Sequence, residues 1–188
     1  MRVIAGKYRS RPLRSLRGMN LRPTADRLRE TLFDVLTAGN PDALQGTVWL
    51  DLFAGTGAVG IEALSRGAGM VYFVEKSAKA AELIRQNLHS LGLEEGFRII
   101  QQDVKRVISR LVEEKVSADF IFLDPPYRME QIYGRTLQFL GESRLPRPGG
   151  LVIAEHQKKF DPGEKFPSLH RYRKLEQGDA ALSFYRKI

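Results

Sequence analysis

The sequence predicts an α/β fold in which a mostly parallel sheet carries helices on both faces. Short apolar runs rich in β-branched and aromatic residues alternate with longer stretches of helical periodicity, the pattern of strands joined by helical crossovers. A glycine-rich turn follows the first run, and acids end four successive runs.

The elements follow in chain order. Residues 24–40 place Leu28, Leu32, Val35 and Leu36 on one helical face until AGNPD breaks the run. TVWLDLF then reads as a strand, GAVGIEALSRG as a helix, MVYFVE as a strand and AKAAELIRQNLHSL as a helix. FRIIQQD, VKRVISRLVEEK and ADFIFLD repeat the alternation, and a helix around EQIYGRTLQFL leads to the strand GLVIAEH. The tail, RYRKLEQGDAALSFYRKI, has two strand-like runs around a turn at Gly178 and Asp179, so a C-terminal antiparallel hairpin should close one edge of the sheet. Three parts result: a basic arm or hairpin at 1–23, a linker helix at 24–40 and a main domain at 41–188.

Composition narrows the chemistry. The 188 residues, 43% hydrophobic and 28% charged, suit one globular domain with a small appendage. No apolar run approaches the ~20 residues that cross a bilayer, and the N-terminus lacks the apolar stretch of a signal peptide, so a cytoplasmic, membrane-free protein is expected. With no cysteine and three scattered histidines, a disulfide framework and a catalytic metal are not expected. The chemistry must come from carboxylates, backbone and a cofactor.

The net charge of +8 is unevenly spread. Residues 1–30 hold nine Lys or Arg against Asp26 and Glu30, while the rest of the chain is nearly neutral. A neutral body with a basic arm fits a polyanion, and Arg9, Arg11, Arg14, Arg22 and Arg27 are the expected contacts to RNA phosphates. The competing reading is a solvated tail. A chain beginning near Leu21 is expected to fold and bind its cofactor without the arm. Lys158, Lys159, Lys165, Arg171, Arg173 and Lys174 form a second basic region, readable as a solvated face.

In an open α/β sheet the ligand sits beyond the carboxyl ends of the strands, where the order reverses. Asp51, Glu75, Asp103 and Asp124 should surround that crevice. GTGAVG at 55–60 has the spacing of a turn that lets backbone approach a ligand closely, which alone would also suit a dinucleotide. In DPPY at 124–127 the two prolines stiffen the backbone and leave carbonyl oxygens without amide donors. A ligand beside Asp124 must therefore bring donors of its own, and an amino group is the simplest. Asp51 either touches the cofactor or only orients the glycine loop, and Asp103 either binds the cofactor or caps the next helix. Trp49 and Phe53 read as packing. His156 reads as a capping or surface residue at a strand end near the crevice.

LDLFAGTGAVGIEAL resembles the S-adenosylmethionine loop of class I methyltransferases, and DPPY matches their amino-methylating tetrad. RVIAGKYRSRPL, LRPTADRLRETLFDVL and GIEALSRGA extend the likeness to the bacterial 16S rRNA (guanine(966)-N(2))-methyltransferase family. The resemblance implies a Rossmann-like fold with a seven-stranded sheet, S-adenosyl-L-methionine as cofactor, and transfer of its methyl group to a guanine N2 in the small ribosomal subunit or its assembly intermediate, by a monomer. It implies that Asp51, Phe53, Ala54, Gly55, Thr56, Gly57, Glu75, Lys76, Asp103 and Val104 hold the cofactor. It implies catalysis by Asp124, Pro125, Pro126 and Tyr127, the ring of Tyr127 stacking on the base. An adenine-N6 methyltransferase acting on RNA or DNA through the same tetrad is the alternative, and a nucleotide-binding oxidoreductase or noncatalytic RNA module is more distant.

Overall fold

The computed structural model describes residues 1–15, 23–126 and 128–188, and the side chains of 23–25 are not described. Arg22 and Tyr127, expected in RNA binding and catalysis, lie outside these residues. In chain order the elements are α1 (Pro23–Thr37), β1 (Val48–Leu52), α2 (Ala58–Ser65), β2 (Met70–Val74), α3 (Ala78–Ser90), β3 (Phe97–Ile100), α4 (Val104–Glu113), β4 (Ala118–Leu123), α5 (Glu130–Glu142), β5 (Pro146–Gln157), β6 (Lys165–Phe166), β7 (Leu169–Gln177) and β8 (Ala180–Lys187). The seven expected strands are present, and the two-residue β6 adds an eighth.

The strand order is β3-β2-β1-β4-β5-β8-β7-β6. The first five strands run parallel and β6 to β8 antiparallel, so the tail forms the expected hairpin and β8 pairs along β5. Chain order reverses between β1 and β4, which opens the crevice there.

Alternation along the strands divides the core into two layers. Trp49, Val71, Phe73, Phe120, Phe122 and Ile153 pack against α1, α2 and α3 through Leu32, Ile61 and Ile84. Leu50, Leu52, Val74, Ile121, Leu123 and Val152 pack against α4 and α5 through Val107, Leu111 and Leu137. Period-two strands and helices with one apolar stripe leave few other ways to bury these residues. Trp49 is fully buried, its ring 5.4 Å from Phe33 and 5.4 Å from Phe120, so its reading as packing is correct.

The arm is not a detachable tail. Val3 and Leu13 are buried in the first layer, and an antiparallel bridge joins Arg2 to Pro12. The fully buried Glu62 of α2 accepts from the backbone N–H of Ile4 at 2.8 Å and of Ala5 at 3.0 Å. Ser65 donates to the carbonyl of Ala5 at 2.5 Å and accepts from the N–H of Tyr8 at 3.0 Å. A side chain on Gly6 would stand 1.9 Å from the Ser65 carbonyl oxygen, so only glycine allows this approach. Deleting these residues would take two backbone donors from the buried Glu62 and leave it Arg66 at 2.8 Å, so the arm contributes to the stability of the body it was expected to leave intact.

Three of the six cations of the second basic region are held in ion pairs. Lys158 pairs with Glu176, Arg171 with Asp161 and Glu164, and Lys174 with Asp161 and Glu176.

Candidate functional site

The glycine loop between β1 and α2 is shaped from three sides. Its backbone is left-handed at Phe53, Gly55 and Gly57, with φ of 65°, 54° and 77°. Phe53, read as packing, is only half-buried and carries strain in that turn, since the left-handed region disfavours a side chain. A Cβ on Gly55 would meet nothing closer than 3.9 Å, so the loop faces open space where a ligand can approach its backbone. At Gly60 a Cβ would come within 2.3 Å of the Phe73 ring, so that glycine serves the seating of α2 on β2.

Two carboxylates fix the loop. The Gly60 N–H donates to Asp51 Oδ2 at 2.9 Å. Glu75 accepts from the N–H of Gly55 at 2.8 Å and of Ser77 at 2.8 Å, one on each oxygen. Of the two roles open to Asp51, orienting the loop is the one seen. Glu75 bridges the loop and the start of α3, and an ionised carboxylate keeps further acceptor sites for a ligand.

By strand alternation Glu75, Asp51 and Glu155 lie on the layer that holds Phe73, Trp49 and Ile153, and Asp124 follows Phe122 in the same phase. They stand at the carboxyl ends of the neighbouring strands β2, β1, β4 and β5, a row of acids across the crevice. Burial pushes Asp51 up to about 7, with Asp124 and Glu75 adding repulsion and the Gly60 N–H opposing it. Burial also pushes Asp124 up to about 7. Glu155 rises well above the usual carboxylate range through burial and the neighbouring Asp124, against a smaller pull from Arg29. A ligand carrying positive charge or hydrogen-bond donors would relieve the repulsion among the acids at these strand ends.

Asp103 lies outside the row. Exposed, three residues past β3, it caps α4 by accepting from the Lys105 N–H at 3.0 Å. Lys76 is exposed beside Glu75, and Val104 is buried under the start of α4. Within the tetrad Pro125 is buried and Pro126 exposed. The Pro126 carbonyl closes a turn by accepting from the Met129 N–H at 2.8 Å. The Tyr133 hydroxyl of α5 lies 2.8 Å from the Glu155 carbonyl oxygen and 3.3 Å from that of Pro125, tying together the ends of β4 and β5. Arg9, Arg11, Arg14 and Arg27 are exposed. Arg11 donates to the Ser90 carbonyl at 2.9 Å and Arg14 to Gln86 at 3.3 Å.

His156 differs from its expectation. It is buried between β5 and β8, facing the second layer, with Nε2 2.9 Å from Ser183 Oγ and Nδ1 2.8 Å from the Gln157 carbonyl oxygen. Burial holds it below the ordinary histidine range. Three residues of the site escaped the sequence reading: Glu155, Tyr133 and Asn87, the last a buried residue of α3 whose side chain donates to the Thr56 carbonyl of the glycine loop. The signal for Glu155 was present, since in GLVIAEH it continues the phase of Leu151 and Ile153 to the strand end where the other acids fall.

Among the described residues there is no group of three or more His, Cys, Asp or Glu able to hold a metal ion, and no helix long and apolar enough to cross a membrane.

A sheet that reverses at β1 and β4, a glycine loop bonded to the acid of the next strand, and an acid followed by two prolines at the end of β4 define the Rossmann-like fold of class I methyltransferases. The chain belongs to the family described as Conserved hypothetical protein 95, whose model matches residues 1–186. It is 36% identical over 187 residues to ribosomal RNA small subunit methyltransferase D of Escherichia coli K12, covering 100% of this chain and 90% of that one. The protein of the same name from Haemophilus influenzae is 34% identical over 159 residues, covering 84% and 79%. The solved structure of a Thermus thermophilus protein superposes with a TM-score of 0.79 at 30% identity, covering 98% of each chain. The family resemblance drawn from the sequence is borne out.

Proposed function

We propose that this protein transfers a methyl group from S-adenosyl-L-methionine to the exocyclic N2 of guanine 966 in 16S ribosomal RNA, acting as a monomer on the small subunit or its assembly intermediate in the cytoplasm. The observation that carries the reading is Asp124, held partly buried at the end of β4 by a proline pair beside the glycine loop.

The crevice suits the cofactor. The open face of Gly55 admits its amino acid part, Glu75 can accept from its ribose hydroxyls, and Asp103 can cap α4 with one oxygen while accepting from the adenine amino group with the other. When bound, S-adenosylmethionine supplies an electrophilic methyl group on a positively charged sulfur, and the carboxylate row complements that charge.

The remaining work falls to the chain. The lone pair of a guanine amino group is delocalised into the ring, which makes it a poor nucleophile. Asp124 accepts one of its hydrogens and the Pro125 carbonyl can accept the other, favouring the pyramidal nitrogen that attacks. Prearranged acceptors of this kind contribute about 2–4 kcal/mol each, by analogy with oxyanion-hole donors. Tyr127 would stack on the base and align it for in-line transfer. After attack the nitrogen loses its surplus proton to Asp124 or to water.

The test is incubation of the protein with labelled cofactor and undermethylated small subunits, followed by identification of the modified nucleoside. N2-methylguanosine at one site is expected. N6-methyladenosine, or no transfer, would overturn the assignment.

A further inference from the structure

We propose that Glu155 reads the N1–H of the target guanine while Asp124 holds its 2-amino group, so that the pair selects guanine over bases whose N1 is an acceptor. The inference rests on the guanine reading above and assigns its specificity to a residue outside the DPPY tetrad.

The backbone sets the two acids side by side. The β4–β5 register pairs Leu123 with Ala154, so Asp124 and Glu155 each follow the last paired position on neighbouring parallel strands. Such strands run about 4.8 Å apart. Ile153 and Phe122, two residues earlier, both belong to the layer beneath α1 and α2, which puts Glu155 and Asp124 on that side of the sheet. Tyr133, bonded to the Glu155 carbonyl and close to that of Pro125, keeps the strand ends from drifting apart. Both acids are only partly covered, so a flat base entering the crevice can reach them.

Glu155 has no described ion-pair partner that would explain it as structure. Arg29, the nearby cation, is engaged by Asp26 at 3.2 Å and by Glu62 at 4.0 Å. Two adjacent acids raise each other's proton affinity, and such an arrangement persists at a site when a ligand offsets the repulsion.

Guanine supplies what the pair lacks. Its Watson–Crick edge carries two neighbouring donors, N1–H and the 2-amino group, and an ionised carboxylate is an acceptor only. A base extruded for chemistry is read on that edge. Adenine, and any purine without the N1 hydrogen, would set a lone pair against Glu155. A site built to accept a hydrogen bond rejects analogues that lack the donor far more strongly than an apolar pocket could. The tetrad alone makes no such distinction, because it sees only an amino group.

The probe is 2-aminopurine, which keeps the 2-amino group and lacks the N1 hydrogen. Small subunits are reconstituted with guanine or 2-aminopurine at the target position, and kcat/KM is measured at pH 8.5 for wild type and Glu155→Gln. Wild type should prefer guanine by about 100-fold. Glu155→Gln, whose amide can donate to an unprotonated N1, should narrow the preference to within about 10-fold while S-adenosylhomocysteine affinity stays within about twofold. Comparing variant with wild type cancels the intrinsic reactivities of the two bases. A wild type that uses both bases within about threefold, or a Glu155→Gln preference equal to that of wild type, overturns the inference and leaves the guanine assignment standing. No transfer to guanine by wild type removes the assignment itself. Should Glu155→Gln fold poorly, Glu155→Asp is scored on the same ratio and must also lower it.

Discussion

The side-chain amide of Asn87 donates from Nδ2 to the Thr56 carbonyl at 3.0 Å, so a fully buried residue of α3 holds the glycine loop. The same group donates to the Arg14 carbonyl at 3.2 Å, and its Oδ1 accepts from the Arg14 N–H at 2.8 Å. One amide thus joins the basic arm to the glycine loop.

Replacing Asn87 with Ala should therefore disturb both. Three partly buried backbone groups lose partners, a cost of about 1–3 kcal/mol in stability. Calorimetric titration with S-adenosylhomocysteine should show affinity weakened by about 3- to 10-fold, from the fraction of that cost borne by the loop. Unchanged affinity in a folded variant would mean that Gly55 and Gly57 hold their shape without α3.

On the proposed mechanism Asp124 serves the amine best as an ionised acceptor that can also take its surplus proton, and burial lifts it to about 7. The rate should accordingly rise with pH through the neutral range, and because Glu155 facing the same base is also raised well above the usual carboxylate range, kcat/KM should keep rising above pH 8. Asp124→Ala should abolish transfer while cofactor affinity stays within a few fold, because the carboxylate serves the amine. A flat wild-type profile from pH 6 to 9 would argue against ionised Asp124 as the acceptor.

Asp51 makes a prediction of opposite sense for stability. Its affinity for a proton is higher in the folded state, about 7 against an ordinary 3.8, so the folded chain binds more protons between those values. The stability this contributes is complete below about pH 4 and is lost as pH rises through about 7. Asp51→Asn keeps an acceptor for the Gly60 N–H and never carries charge. Melting of the free protein should show the variant matching wild type near pH 4 and exceeding it at pH 8 by about 3–4 kcal/mol, or roughly 6–16 °C. His156, lowered by burial, contributes a slope of the other sign, and the comparison of the two proteins cancels it.

Exposed arginines on an anchored arm should act on phosphates in bulk. Replacing Arg9, Arg11 and Arg14 together by Gln should reduce the slope of log affinity against log salt by roughly two to three, with the modified nucleoside unchanged. Filter binding over a salt series measures this. An unchanged slope would return the arm to a structural role, which Val3, Leu13 and its bonds to Glu62 already give it.

The chain's local rules determined much of this molecule. Period-two runs ended by acids, helical stripes between them, glycines where the backbone turns left-handed, and the Asp-Pro-Pro sequence are properties of neighbours in sequence, and they were enough to place Asp51, Glu75 and Asp124 at one crevice. What lay beyond them needed partners distant in sequence. Glu155 joins the acid row only because β5 pairs with β4, and His156 is buried only because β8 lies along β5. Asp103 kept its acid and lost its place in the row, since the chain leaves β3 three residues earlier. The arm's basic composition announced a polyanion partner but could not announce Glu62, 58 residues away from Ile4, which receives its backbone. Periodicity reports which face of an element is apolar, whereas the contacts that seat an arm or set two carboxylates side by side exist only once the faces have met.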